Sequence, residues 1–295
     1  MGQNTEIAWT DATFNPWIGC SKVSDGCRNC YAEVDTFARR ERARGLELWG
    51  PKAARHVTSE SYWKQPLKWD REARAAGVRR RVFCASMADV FEDRPDLVEP
   101  RQRLSDLVLS TPSLDWLLLT KRPENAARLW LEAGVTNDAW SDNVWLGTTV
   151  EHQAAANKRI PHLLAVPARV RFLSCEPLIG EVRLDELVTD ETHHYSALEC
   201  DVDAGDDGEW EGRCVDWVIV GGESCVKARP FDVAWARRIV ADCAAARVAC
   251  FVNQLGANPC GPVGARDMGD GKKGGDVSRW SADLRVREFP TPRGR

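Results

Sequence analysis

Three thiols lie close together near the start of the chain, in Cys20-Ser-Lys-Val-Ser-Asp-Gly-Cys27-Arg-Asn-Cys30, a C-x6-C-x2-C spacing. Clustered thiolates are soft ligands that select iron–sulfur clusters, zinc or copper(I). Gly26 lets the backbone fold back so that all three sulfurs can face one point. A structural zinc site closes with four ligands, and the fourth would then be a distant residue such as Cys225 or His152. A [4Fe–4S] cluster held by three thiolates instead leaves one iron open to a substrate or cofactor. Cys20, Cys27 and Cys30 are therefore the expected ligands of a [4Fe–4S] cluster. A zinc-stabilised binding module without catalysis is the alternative.

Other chemistry-bearing side chains follow apolar runs. Asp89, Glu151, Glu176 and Glu223 are four carboxylates that could bind cofactor hydroxyls or an ammonium group, or act as acid or base. Each could instead pair with Lys121, Arg122 or Arg229 in a structural network. Lys121-Arg122 could hold a carboxylate or phosphate. Arg28, Arg39, Arg40, Arg42, Arg44, Lys52 and Arg55, with Trp49, Trp63 and Trp69, could offer nucleic acid both charge and stacking faces. The competing reading, which we favour, is a solvated helix face over tryptophans packed in the core.

The elements that must position these groups are legible as short continuous apolar runs: Val82–Ser86, Trp116–Thr120, Val144–Thr149, Val170–Ser174, Trp217–Val220 and Cys250–Asn253. Continuous rather than alternating runs suit strands buried on both faces of a parallel sheet. A first strand is expected near Asn15–Gly19. A helix should follow Cys30, with Tyr31, Val34, Phe37 and Ala38 on its apolar face and Gly45 at its end. Leu104, Leu107 and Val108 mark another helix, and Trp235, Ile239, Val240 and Cys243 a third. The class is α/β, a full or partial (βα) barrel with mostly parallel strands, and a doubly wound sheet is the runner-up. Polar clusters follow the strands at Gly19-Cys20, Ser86–Asp89, Thr120–Pro123, Thr149–Glu151, Ser174–Pro177, Gly221–Ser224 and Asn253-Gln254. Strand C-termini form the active-site face of a βα barrel.

The chain has 295 residues, 43% hydrophobic and 28% charged, which suits one large folded domain. Residues 1–258 are read as that domain, with an acidic insertion at about 185–216 and a poorly ordered tail over 259–295. No apolar run reaches membrane-spanning length, and the N-terminus lacks a signal-peptide pattern, so the expectation is a cytoplasmic protein. In a reducing compartment the 11 cysteines point to metal rather than disulfides, and Cys84, Cys175, Cys243 and Cys250 read as small buried hydrophobes. The net charge of −4 hides an asymmetry: residues 22–81 sum to +7 and residues 181–216 to −11.

Phe14-Asn15-Pro16-Trp17-Ile18-Gly19-Cys20, the three cysteines and Tyr31-Ala32 closely resemble an uncharacterised, phage-associated three-cysteine protein family near the radical S-adenosylmethionine (SAM) superfamily. The resemblance continues at Leu119–Pro123, Trp145–Gly147, Ser174–Leu178, Val220–Ser224, Ala228–Pro230 and Asn253-Gln254. It implies a partial βα barrel, a [4Fe–4S] cluster and SAM as cofactors, and cleavage of SAM to a 5′-deoxyadenosyl radical that modifies a substrate, nucleic acid among the options. It also implies an electron donor such as a flavodoxin or ferredoxin, and a phage-encoded partner protein. Under it, Tyr31, Ser86, Asp89, Lys121, Arg122, Glu151, Gly221 and Gly222 are expected at the cofactor, and Glu176 and Glu223 in catalysis. The alternative becomes a zinc-binding phage accessory module. The loop here is three residues longer than the usual superfamily spacing, and Asn29 stands where an aromatic residue is usual before the third cysteine. Cys225 follows the Gly-Gly-Glu-Ser element, where the family often has glycine.

Overall fold

A computed structural model describes residues 5–135, 140–188, 194–200, 214–261 and 273–291. The chain divides into two compact units, Met1–Gly147 with Pro167–Arg169, and Thr148–Val166 with Val170–Arg295.

The first unit holds strands β1 (Ala12–Thr13) and β2 (Trp17–Ile18), helix α1 (Thr36–Ala43), strand β3 (His56–Val57), and helices α2 (Glu60–Trp63) and α3 (Gln65–Ala76). Strand β4 (Arg80–Cys84), helix α4 (Val98–Leu109), strand β5 (Leu114–Thr120) and helix α5 (Ala126–Glu132) follow. Strand β6 (Val144–Thr149) ends this series. Helix α6 (Gln153–Leu164) and strands β7 (Val170–Cys175), β8 (Leu187–Val188), β9 (His194–Tyr195) and β10 (Trp217–Gly221) come next in the second unit. Strand β11 (Phe231–Asp232), helix α7 (Val233–Ala246) and strands β12 (Ala249–Gln254) and β13 (Pro259–Cys260) complete it.

Seven strands form one parallel sheet in the order β1-β4-β5-β6-β7-β10-β12. The order never reverses along the chain, so there is no switch point of the kind that defines a doubly wound sheet. Strand–helix alternation in this order is consistent with a partial (βα) barrel. The six apolar runs read from the sequence are β4, β5, β6, β7, β10 and β12 within a residue or two.

The first strand differs from expectation. The sheet strand is Ala12–Thr13, paired with Val82 and Phe83. Asn15–Gly19 leaves the sheet because Pro16 has no N–H to give and Thr58 Oγ1 takes the Asn15 and Pro16 carbonyls, each at 3.0 Å. Trp17–Ile18 then pairs antiparallel with His56–Val57. The single helix expected after Cys30 is also broken. A 3₁₀ turn covers Ala32–Val34, and Asp35, at ψ 159°, stops it and caps α1 by accepting from Phe37 N at 2.8 Å. Tyr31 and Val34 are thus exposed, while Ala38 is buried. Gly45, at φ +82°, follows the helix as expected.

Leu104, Leu107 and Val108 are buried on α4. On α7 the buried face is Val233, Ala236, Ile239 and Cys243. Trp235 and Val240 stand at its margin.

The acidic stretch carries a two-stranded β8–β9 ribbon, and Ala197, Leu198 and Val215 are buried. Cys200 and Cys214 form a disulfide. Residues 189–193 and 201–213 of that stretch lie outside the described residues. Part of the segment read as tail is packed: Trp280 and Leu284 are buried, and Val252 N donates to Val286 O at 2.9 Å. Residues 262–272 and 292–295 lie outside the described residues. Among the described residues no helix is long and apolar enough to cross a membrane.

Candidate metal centre

Cys20 is placed by its neighbours on both sides. Gly19 has φ +113°, a left-handed value that favours glycine, and its N–H donates to Met87 O at 3.0 Å. The Asn15 side chain accepts from Met87 N at 2.7 Å and donates to Ser86 Oγ at 3.0 Å. These bonds fasten the approach to Cys20 onto the end of β4. On the other side Gly50 N donates to the Cys20 carbonyl at 3.0 Å, beside a bridge between Cys20 and Trp49.

Cys20 and Cys30 pack against one apolar cluster made of Ile18, Ala32, Ala38, Leu48, Trp49 and Met87. Cys27 ends a 3₁₀ turn over Asp25–Cys27, with its Sγ 3.9 Å from Ser24 Oγ. Among the described residues no three His, Cys, Asp or Glu side chains are grouped to hold a metal ion. Tyr31 projects beside Cys30, exposed, with its hydroxyl donating to Ser86 O at 2.6 Å.

A buried ionic network backs the loop. Arg122 donates to Asp89 Oδ2 at 2.8 Å, to Ser21 O at 2.7 Å and to Cys20 Sγ at 3.7 Å. Asp89 also accepts from Thr120 Oγ1 at 2.6 Å and from Lys121 N at 3.1 Å. Arg55 makes a two-pronged bond to Glu92 at 2.8 and 2.7 Å and reaches Ser21 Oγ at 2.9 Å. Glu92 in turn accepts from Ser21 N at 3.1 Å. Burial and the Asp89 carboxylate push the Cys20 thiol up to about 12, against the pull of Arg122. Burial opposes the charge of Arg122, but Asp89, then Cys20 and Glu92, outweigh it and push the guanidinium up.

Arg122 and Asp89, both expected at the cofactor, pair with each other. Their polar atoms are spent on each other and on the cysteine loop. Three thiols in one loop are soft donors of the kind a thiolate-bound metal takes, although the structure does not bring all three together. Two thiols share an apolar cluster, a guanidinium N–H already points at one of them, and the buried indole N–H of Trp49 has no hydrogen-bond partner among the described residues.

The second unit carries its own polar cluster. Glu176 accepts from Asn253 Nδ2 at 2.9 and 3.0 Å and from Gln254 Nε2 at 2.8 Å. A Cβ on Gly221 would stand 2.7 Å from Glu176 Oε1, and one on Gly222 would stand 2.7 Å from Leu255 O. Gly221 and Gly222, expected at the cofactor, thus lie tightly against Glu176 and the Leu255 backbone. Glu223 is buried and pairs with Arg229, which also donates its backbone N–H at 2.8 Å. Glu151 is fully buried and held by Arg159 at 2.5 Å. Cys225 is half-buried in the same unit.

The basic stretch resolves toward the solvated-face reading. Trp49, Trp63 and Trp69 are buried, so they offer no stacking face. Arg42 pairs with Glu47 and Arg44 with Glu41, each at 2.9 Å, and Arg55 is buried against Glu92. Glu92, Asn15 and Trp49 are the site residues that spacing did not single out as such. Asn15 lies in the quoted Phe14–Cys20 motif, which is the one signal that could have flagged it.

No curated protein and no solved structure matches the chain. The family described as Protein of unknown function (DUF5131) matches residues 4–278, which is nearly the whole chain, and the protein therefore belongs to the DUF5131 family.

Proposed function

We propose that the protein is an iron–sulfur enzyme of radical SAM type, with Cys20, Cys27 and Cys30 as the ligands of a [4Fe–4S] cluster. The observation that carries this reading is Cys20 itself, which packs with Cys30 on one apolar cluster and receives an N–H from a buried, charge-balanced arginine. Hydrogen bonds of this kind stabilise thiolate charge. Held by Cys20, Cys27 and Cys30, such a cluster would supply an electron and an open iron for the reductive cleavage of SAM.

The chain's own residues have separate tasks in this reading. Arg122 and Arg55 hold the Cys20-Ser21 turn, while Asp89 and Glu92 neutralise them. Tyr31 presents an exposed ring next to Cys30, suited to lie against the cofactor. Glu176 is only half-buried, unlike Asp89, Glu151 and Glu223, and is the carboxylate assigned to proton handling. A flavodoxin- or ferredoxin-like donor supplies the electron.

The test is anaerobic purification followed by iron, sulfide and visible absorption measurements. Iron and sulfide near four per chain are expected for the cluster. Reduced protein should release 5′-deoxyadenosine from SAM, and Cys20→Ala, Cys27→Ala and Cys30→Ala should each lose both cluster and cleavage. Stoichiometric zinc without iron, or cleavage that survives all three replacements, overturns the reading.

A further inference from the structure

Trp49 is buried, and its Nε1 has no hydrogen-bond partner among the described residues. A buried N–H without an acceptor is costly, so such groups call for an explanation. It belongs to an apolar cluster with Ile18, Ala32, Ala38, Leu48 and Met87, and Cys20, Cys30 and Phe37 pack against that cluster. The side-chain acceptors among these apolar neighbours are sulfurs. A thioether or neutral thiol accepts weakly, whereas a thiolate accepts strongly. The backbone of Trp49 is already fixed beside Cys20 by their bridge. Trp17, Trp63 and Trp130 also bury indole N–H groups without partners among the described residues, but none belongs to the cluster that holds the cysteines.

We propose that the Trp49 indole N–H donates to the thiolate sulfur of Cys20 or Cys30 when the loop is metal-loaded, which makes Trp49 a positioning residue that sets metal retention and reduction potential. This inference rests on the metal reading above. Arg122 provides the companion N–H on Cys20 Sγ at 3.7 Å. Donors to cluster sulfur stabilise the reduced, more negative state, so removing one lowers the potential.

The experiment compares wild type, Trp49→Phe and Trp130→Phe after anaerobic reconstitution with iron and sulfide. Trp49→Phe keeps an aromatic ring and removes the N–H. It should retain metal about 10–100-fold less well under chelator challenge and show a more negative midpoint potential. Trp130→Phe should match wild type. A second measurement needs no variant: in ¹⁵N-labelled wild type loaded with zinc, a diamagnetic thiolate-bound metal, the Trp49 indole resonance should move downfield and exchange more slowly than in the metal-free protein. Iron-loaded Trp49→Phe with wild-type retention and potential overturns the proposal and leaves the iron–sulfur reading standing. An equal effect from Trp130→Phe, or an unmoved indole resonance in zinc-loaded protein, also overturns it. A wild-type loop that binds neither metal overturns both.

Discussion

A Cβ on Gly19 would stand 2.3 Å from the Leu48 carbonyl oxygen, at a φ of +113° that side chains rarely adopt. Both penalties fall on the residue before Cys20, so the loop cannot yield without moving the sulfur. Gly19→Ala should cost about 2–4 kcal/mol, read as a lower urea midpoint, and should loosen metal retention in parallel. Wild-type stability would show that the Leu48 turn moves freely. Gly221 and Gly222 teach the complementary lesson. Their sequence context placed them at the cofactor, and the space beside their Cα atoms is taken by Glu176 and by the Leu255 backbone. Residue type announced that something comes close. Only the fold identifies what it is, because the partners lie dozens of positions away.

At the scale of elements, periodicity was a good guide where packing is regular. The α4 stripe is buried as read, and the apolar runs are strands. It failed where local capping competed with the apolar pattern, since Asp35 ends one turn and starts another helix. It was also blind to long-range charge pairing. Arg55 stands in a basic stretch that reads as solvated, and its partner Glu92 lies on another segment. The pair joins the Leu48–Ala54 turn to the Cys20 loop, with Arg55 donating to the Leu48, Ala53 and Gly50 carbonyls. Removing one partner leaves an uncompensated buried charge, so Glu92→Gln should cost about 3–5 kcal/mol by denaturant unfolding. Burial raises Glu92, but bonds from Arg55 and Ser21 outweigh it and hold its carboxyl below the usual range. The folded-state value is depressed, so this stability is complete above the unfolded carboxylate value of about 4.3 and fades as pH falls through the folded value. Glu92→Gln should therefore have a shallower acid limb than wild type. Parallel acid limbs would assign the depression to another group.

Across the whole molecule, the sheet order follows the chain order, and this regularity is why the fold class could be read from six apolar runs. The chemistry was legible only as a concentration of soft ligands. The supporting shell of Arg122, Asp89, Arg55, Glu92 and Trp49 is assembled from three separate stretches, and nothing local announces that they meet. The cysteines offer a test that covers the chain at once. Cys84, Cys175, Cys243 and Cys250 are all buried, one each in β4, β7, α7 and β12. Burial pushes the Cys84 and Cys175 thiols up, and a hydrogen bond with Cys250 together with burial does the same for Cys243. Neutral, inaccessible thiols do not react, whereas Cys27 and Cys30 are only half-buried. Alkylation of native metal-free protein, mapped by peptide mass, should label Cys27 and Cys30 and spare the four buried cysteines until the chain unfolds. Loading the loop with iron and sulfide should then protect Cys27 and Cys30 together and leave the labelling of Cys225 and Cys260 unchanged. Protection of all four alike would mean that metal binding compacts the whole chain, and protection of neither loop cysteine would remove the three-cysteine loop as the metal's seat.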